Sequence, residues 1–107
     1  MHPQKVRARS GVQAIALGTQ ARAMLVPLVA TLRRTIAPPV FMDYEDRKLL
    51  AHLKIADRNN ARFALILGSD EIVAGELVLR DLETRNDRRV TLGRAADVAG
   101  ALAEMAL

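Results

Sequence analysis

Apolar residues in this chain fall into short unbroken blocks and longer stretches at helical spacing. Val12 to Leu17 is a block with Gln13 as its one polar member. It predicts a short apolar strand ended by Gly18-Thr19, with Thr19 placed to cap the next helix. Met24, Leu25, Leu28, Val29 and Leu32 then share one helical face, up to about Thr35. Pro27 inside that stretch predicts a kink or a later start, because proline removes a backbone donor and clashes with the preceding turn. Arg33-Arg34 fall in the last turn, where positive charge complements the helix dipole. Pro38-Pro39 punctuate the connection, and Val40 to Tyr44 reads as a short strand whose proline-marked start suits a sheet edge.

Residues 46 to 68 organise the rest. Asp46 is the expected N-cap, with the first turn starting at Arg47. Leu49, Leu50, Leu53 and Ala56 make an apolar helical face, while Arg47, Lys54 and Arg58 share another stripe. Asn59-Asn60 stop the helix, since Asn tolerates the left-handed conformation. Phe63 to Leu67, closed by Gly68, is apolar throughout, as a strand covered on both faces should be. Residues 76–82 and 88–92 supply two more strands, turned by Thr84 to Asp87. An Ala-rich helix from Arg94 to Leu107 follows, with Val98, Leu102 and Met105 inward and Gly100 weakening it.

Two crossovers of this length imply parallel strands with right-handed connections, and the last two strands form an antiparallel hairpin. The expected fold is α/β, a three-layer α/β/α arrangement of a five-stranded mixed sheet and three main helices. Residues 1–11 lack periodicity and read as a basic arm or linker remnant. Lys5, Arg7 and Arg9 there can touch phosphate, although such arms are more often merely solvated. Residues 12–107 form the domain.

At 107 residues with half of them hydrophobic, the chain suits one domain with a real core. It has no cysteine, which removes disulfides and thiolate metal sites and suits a reduced, cytoplasmic setting. No apolar run approaches the roughly 20 residues of a membrane span. Net charge is +4, and 13 of the 16 basic residues are Arg. That composition favours anionic partners, because the guanidinium fork bonds two oxygens at once. Gly-rich phosphate loops and nucleophile elbows are missing. Of the two histidines, His2 lies in the arm and His52 is expected on a helix surface, without a spaced partner ligand. An arginine group around the hairpin (Arg80, Arg85, Arg88, Arg89, Arg94) is interleaved with Asp81, Glu83 and Asp87, so local pairing is expected.

The run R-K-L-x-x-x-L-K-x-A-D-x-x-x-A-x-F-x-L-I-L-G, from Arg47 to Gly68, is followed by Asp70-Glu71 and Gly75. This pattern resembles the C-terminal anticodon-binding domain of class II histidyl-tRNA synthetases, within the class IIa anticodon-binding family. The likeness extends from about Val12 to Leu92. It implies strand order 2-1-3-4-5 and a partner, the anticodon stem-loop of a tRNA, histidine tRNA above all. The synthetase's catalytic region has no counterpart here, so no activity, catalytic residue, cofactor or metal is expected of this chain alone. It is either an excised domain, whose partner would be the catalytic domain, or a free-standing paralogue acting through protein interaction. Neither membrane nor DNA is an expected partner. The chain differs from many relatives in Asn60 where they carry Gly, in Pro27, and in Asp43-Tyr44-Glu45-Asp46 where they are Gly-rich.

With the implied order, a crevice opens beyond the carboxyl ends of the first three strands, at Gly18-Thr19, Asp43-Tyr44-Glu45 and Gly68-Ser69-Asp70-Glu71. A phosphoacceptor domain of the same order would need acids where Gly18 and Gly68 stand. Single-stranded RNA needs flat faces for splayed bases, which Tyr44 or the Arg47 plane offers, acceptors for base edges, and cations for phosphate. The family's contacts cluster at the second strand's end and second helix's start. This implies Tyr44, Arg47 and Lys48 as RNA-binding residues, with Lys54, Arg58 and Glu71 further out.

Overall fold

In the structure, a computed structural model that describes residues 8–106, alternate residues of the first strand serve two different cores. Strand β1 (Val12–Ala16) turns Val12, Ala14 and Ala16 towards one face of the sheet and Ile15 towards the other. The two-residue period of extended chain does this, and both faces are covered, so the whole strand is buried. The order along the chain is β1, α1 (Thr19–Thr35), β2 (Val40–Met42), α2 (Leu49–Arg58), β3 (Phe63–Leu67), α3 (Ser69–Ala74), β4 (Glu76–Asp81), β5 (Asp87–Thr91) and α4 (Ala95–Ala106).

The five strands form one mixed sheet in the order β2-β1-β3-β4-β5. Strands β2 and β3 flank β1 in parallel, with Val12 opposite both Val40 and Phe63, and Ala16 opposite Leu67. The β4–β5 hairpin adds antiparallel to β3, pairing Leu65 with Leu79 and Leu77 with Val90. The larger core lies between the sheet and α1 and α4, where Leu25, Leu28, Val29 and Leu32 meet Val98 and Leu102 over Leu65, Leu67 and Leu79. The smaller core lies under α2, where Leu49 and Leu53 cover Ile15, Ala64 and Ile66. The expected α/β/α architecture with three main helices is present, and α3 is a fourth, short helix ending at Gly75 in the left-handed region (φ 70°).

Several local expectations are corrected. Thr19 is the first helical residue of α1 and Gly18 the cap, while the helix runs through Pro27 to Thr35 without stopping. The second strand ends at Met42, so Tyr44 lies in a loop. Asp46 does not cap α2, which starts at Leu49 with Lys48 extended at the cap position and no side-chain cap bond. Asp43 takes the polar role instead: its Oδ1 accepts from the Glu45 N–H at 2.9 Å and its Oδ2 from Arg47 Nε at 2.7 Å, holding this stretch outside the helix. The inward face of α2 is Leu49, His52, Leu53 and Ala56. His52 is therefore fully buried rather than superficial, and Leu50, 66% exposed, points to solvent.

The end of α2 follows the sequence, with Asn60 left-handed at φ 56°. Beside it Gly11 (φ 94°) sits so close to β2 that a Cβ there would lie 2.7 Å from the Pro39 carbonyl. Its own carbonyl accepts the N–H groups of Arg62 and Phe63. Arg9, from the basic arm, is bound locally to Asp57 at 2.7 Å and to the Ala61 carbonyl at 2.8 Å. Lys5 and Arg7 lie outside the described residues. Around the hairpin, Arg80 pairs with the interleaved Asp87 as expected, whereas Arg88 and Arg89 pair with Glu104 and Glu76 from outside that run, and Asp81 and Glu83 are taken by Arg62 instead. At the sheet's free edge, Arg33 Nε donates to the Val40 carbonyl at 3.0 Å.

Candidate nucleic-acid interface

Because β1, β2 and β3 are parallel, their carboxyl ends share one edge, and the segment 43–48 lies there between β2 and α2. The Asp43 carboxylate shapes that segment. The Glu45 N–H and the Arg47 guanidinium hold it below the usual carboxylate range, so it stays ionised. Arg22, one turn into α1, donates Nη1 to the Tyr44 carbonyl at 2.7 Å and ties the loop to the larger layer. The Tyr44 side chain is thereby presented outward, 51% exposed.

Beneath the loop His52 is enclosed with both ring nitrogens unpartnered, and burial pushes its pKa down, so the neutral ring is the folded form. Nearby Asp43 and Asp46 act against that shift and Arg47 reinforces it.

Of the residues expected to bind RNA, Tyr44, Arg47 and Lys48 are brought together on this segment. Arg47 is engaged by Asp43. Lys48 is exposed and makes no side-chain bond among the described residues. Lys54 and Arg58 are exposed and also without partners, but they lie further along α2. At 1.5 Å per residue Arg58 is about 15 Å from the helix start, at the opposite end from the crevice. Glu71 is half-buried on α3, its Oε1 folded back over Gly68, where an added Cβ would stand 3.0 Å away.

The sequence did not point to a cleft of about 650 Å³ along the free edge of β2. Its walls include Phe41, Tyr44, Glu45, Ile55 and Asn59, with Gln13 and Arg33 also lining it. Asn59 Nδ2 donates to Gln13 Oε1 at 2.9 Å, joining α2 to β1 across 46 residues. The lone polar member of a buried strand was the available signal: a glutamine facing a helix rather than solvent needs a polar partner.

Among the described residues no group of three or more His, Cys, Asp or Glu could hold a metal, and no helix is long and apolar enough to cross a membrane. What the arrangement offers is an aromatic face, cations and a polar cleft on one rim.

Comparison with known proteins agrees with this fold. The chain is 41% identical over 78 residues to the histidine–tRNA ligase of Anoxybacillus flavithermus, covering 73% of this chain and 18% of that one. It superposes on the histidyl-tRNA synthetase of Nostoc sp. PCC 7120 with a TM-score of 0.74 at 24% identity, over 88% of this chain and 21% of the other. The RNA binding domain of threonyl-tRNA synthetase from Cryptosporidium parvum gives a TM-score of 0.64 at 16% identity, over 78% of this chain and 21% of the other. These two structural likenesses speak for the fold. The chain spans about a fifth of the length of the curated relatives it matches. A family model described as the anticodon binding domain matches residues 15–102, most of the sequence, and the chain belongs to that family.

Proposed function

We propose that this chain is a non-catalytic RNA-binding module that recognises the anticodon stem-loop of a tRNA, histidine tRNA in the first instance, as the anticodon-reading part of a synthetase. The observation that carries the reading is the convergence of an outward Tyr44 with Arg47 and Lys48 on one loop at the shared strand edge. Splayed bases stack on such a ring while the cations meet phosphate. The relatives named as histidine–tRNA ligases support the choice of tRNA.

The experiment is a titration against the histidine anticodon stem-loop, beside a loop with its anticodon bases replaced, at two salt concentrations. A preference lost on base replacement, above a salt-dependent phosphate contribution, establishes base reading. Equal weak binding to both loops that vanishes at moderate salt overturns it.

That outcome would favour a protein-interaction module. One observation points there: α1 presents Ala23, Val26, Pro27 and Ala30 to solvent without a charge among them.

A further inference from the structure

His52 is wholly enclosed, yet neither ring nitrogen has a hydrogen-bond partner, and no other buried side-chain nitrogen or oxygen among the described residues is left so. The neutral ring carries one donor and one acceptor, whereas the protonated ring carries two donors and a charge. Beneath α2 the sheet presents Ile15, Ala64 and Ile66, with Leu17, Val78 and Leu82 packed beside them, and none of these titrates or accepts a side-chain hydrogen bond. Gln13, the polar residue of β1, is bound to Asn59 instead. The charges that act on His52 lie on the segment 43–48, where Asp43 and Asp46 favour the protonated ring and Arg47 opposes it. His52 also closes the first turn of α2. Its backbone N–H donates to the Lys48 carbonyl at 3.2 Å, and that turn has no side-chain cap.

We propose that His52 is a proton-sensitive latch on the segment 43–48. When the ring takes a proton from solvent, Arg47 leaves Asp43 and the first turn of α2 opens, while the sheet and the other helices stay folded. A buried imidazolium has to find an acceptor or reach water. The carboxylate that favours it most is Asp43, whose two oxygens are already taken by the Glu45 N–H and by Arg47 Nε. Arg47 holds on by one contact of 2.7 Å at the surface, and the new charge repels it, so Arg47 is the partner that yields. An uncapped first turn then opens at the cost of few contacts and gives the ring water. The open form holds the ring near its ordinary value of about 6.5 and the closed form holds it lower, so the open form gains as pH falls below about 6.5. Asp43, held below the usual carboxylate range, stays ionised through that window. The freed Arg47 joins the unpaired Lys48 at the rim, so proton uptake by His52 and anion binding at the rim favour one another. That coupling rests on the RNA-binding reading above; the latch itself does not.

The test follows the whole chain by NMR from about pH 7.5 to about pH 5, through the His52 ring, the Arg47 Nε–H and the amide protection of residues 43–52. In step with the titration of the His52 ring, the Arg47 signal should shift and the segment should lose protection, while the amides of Leu65 and Leu79 in the sheet stay protected. His52→Gln, neutral at every pH, should show no such step. The latch is overturned by a ring that titrates without moving Arg47 or the segment, and by a ring that does not titrate above pH 5. It is equally overturned if protection of the segment is lost only together with that of the sheet, or if the same local step survives in His52→Gln. These readings on the wild-type chain decide the matter even where His52→Gln fails to fold. Binding of the histidine anticodon stem-loop is then measured against salt at both ends of the range. The slope of log K against log salt should be steeper by about 0.7 at the acid end for the wild-type chain, one further phosphate contact. An unchanged slope with the NMR step present removes the coupling and keeps the latch. Absence of stem-loop binding at either pH sinks the RNA reading, and the latch stands or falls on the NMR step alone.

Discussion

Arg62 grips Asp81 with two parallel hydrogen bonds, Nε to Oδ1 at 3.1 Å and Nη2 to Oδ2 at 2.9 Å. Asp81 is only 3% exposed, and its Oδ1 also accepts the N–H groups of Glu83 and Thr84. Arg62 lies over the Phe63 ring, 5.1 Å from its centroid. One carboxylate thus fixes both the start of β3 and the turn of the β4–β5 hairpin. Asp81→Ala would leave the guanidinium without its principal partner and the turn without two acceptors. The expected cost is about 2–3 kcal/mol, less than for a fully enclosed pair because Arg62 keeps some contact with water. A denaturant midpoint lowered at unchanged slope is the measurement, and Asp81→Asn should recover part of the loss.

Acid should weaken the fold in two stages. His52 has a folded pKa below its free value because burial disfavours the charged ring. The unfolded chain then takes up a proton that the folded one refuses, so stability is full above about 6.5 and declines as pH falls below it. Asp81, Asp87 and Asp43 are also depressed: Arg62 lowers Asp81, Arg80 lowers Asp87, and the Glu45 N–H lowers Asp43. Their contribution is full above about 3.9 and disappears at lower pH still. Thermal midpoints measured across pH should show both steps, and His52→Gln should remove the upper one alone.

The Asp43–Arg47 pair competes with any phosphate for the same guanidinium. Asp43→Asn keeps an oxygen for the Glu45 N–H and releases Arg47, so RNA binding should tighten and its salt dependence steepen. Arg47→Ala and Lys48→Ala should each flatten the slope of log K against log salt by about 0.7, the value for one single-strand phosphate. Tyr44→Ala should weaken binding about tenfold at an unchanged slope, since stacking carries no counterion. Loss of slope with Tyr44→Ala would contradict a stacking role.

Gly11 is required by space as well as by conformation. Its φ of 94° and the Pro39 oxygen that a Cβ would meet at 2.7 Å leave no room for alanine. Gly11→Ala should cost about 2 kcal/mol or more, read from the thermal midpoint, whereas Gly100→Ala, on open helix surface, should stabilise modestly.

Much of the fold was legible because its signals are local. Phe63 to Leu67 is apolar at every position and is buried at every position, and Asn60 adopts the left-handed turn its side chain permits. The strand order came through family resemblance, since no periodicity encodes which strands adjoin. What the sequence hid depends on contacts between distant residues or on competition between near ones. Asp43, not Asp46, is the acid that binds the chain ahead of α2, and the face that α2 turns to the sheet carries His52 while Leu50 points outward. The six residues of α3 are too few to display a period. The hold of Arg22 on Tyr44 and of Asn59 on Gln13 joins positions 22 and 46 residues apart. That Tyr44, Arg47 and Lys48 stand close together past the second strand could be read, whereas the loop that carries them and the cleft beside it could not.

The hydrogen bond from Arg33 to the Val40 carbonyl has a meaning for behaviour in a crowded solution. An outermost strand with free carbonyls and amides invites a foreign strand to zip onto it, which is how soluble sheets seed aggregates. Here that strand is three residues long, begins after two prolines, and has a carbonyl occupied by a cation from the neighbouring helix. A would-be intruder finds too short a ladder and a charge standing in its way. The arginine in the last turn of α1 doubles as a guard against self-assembly.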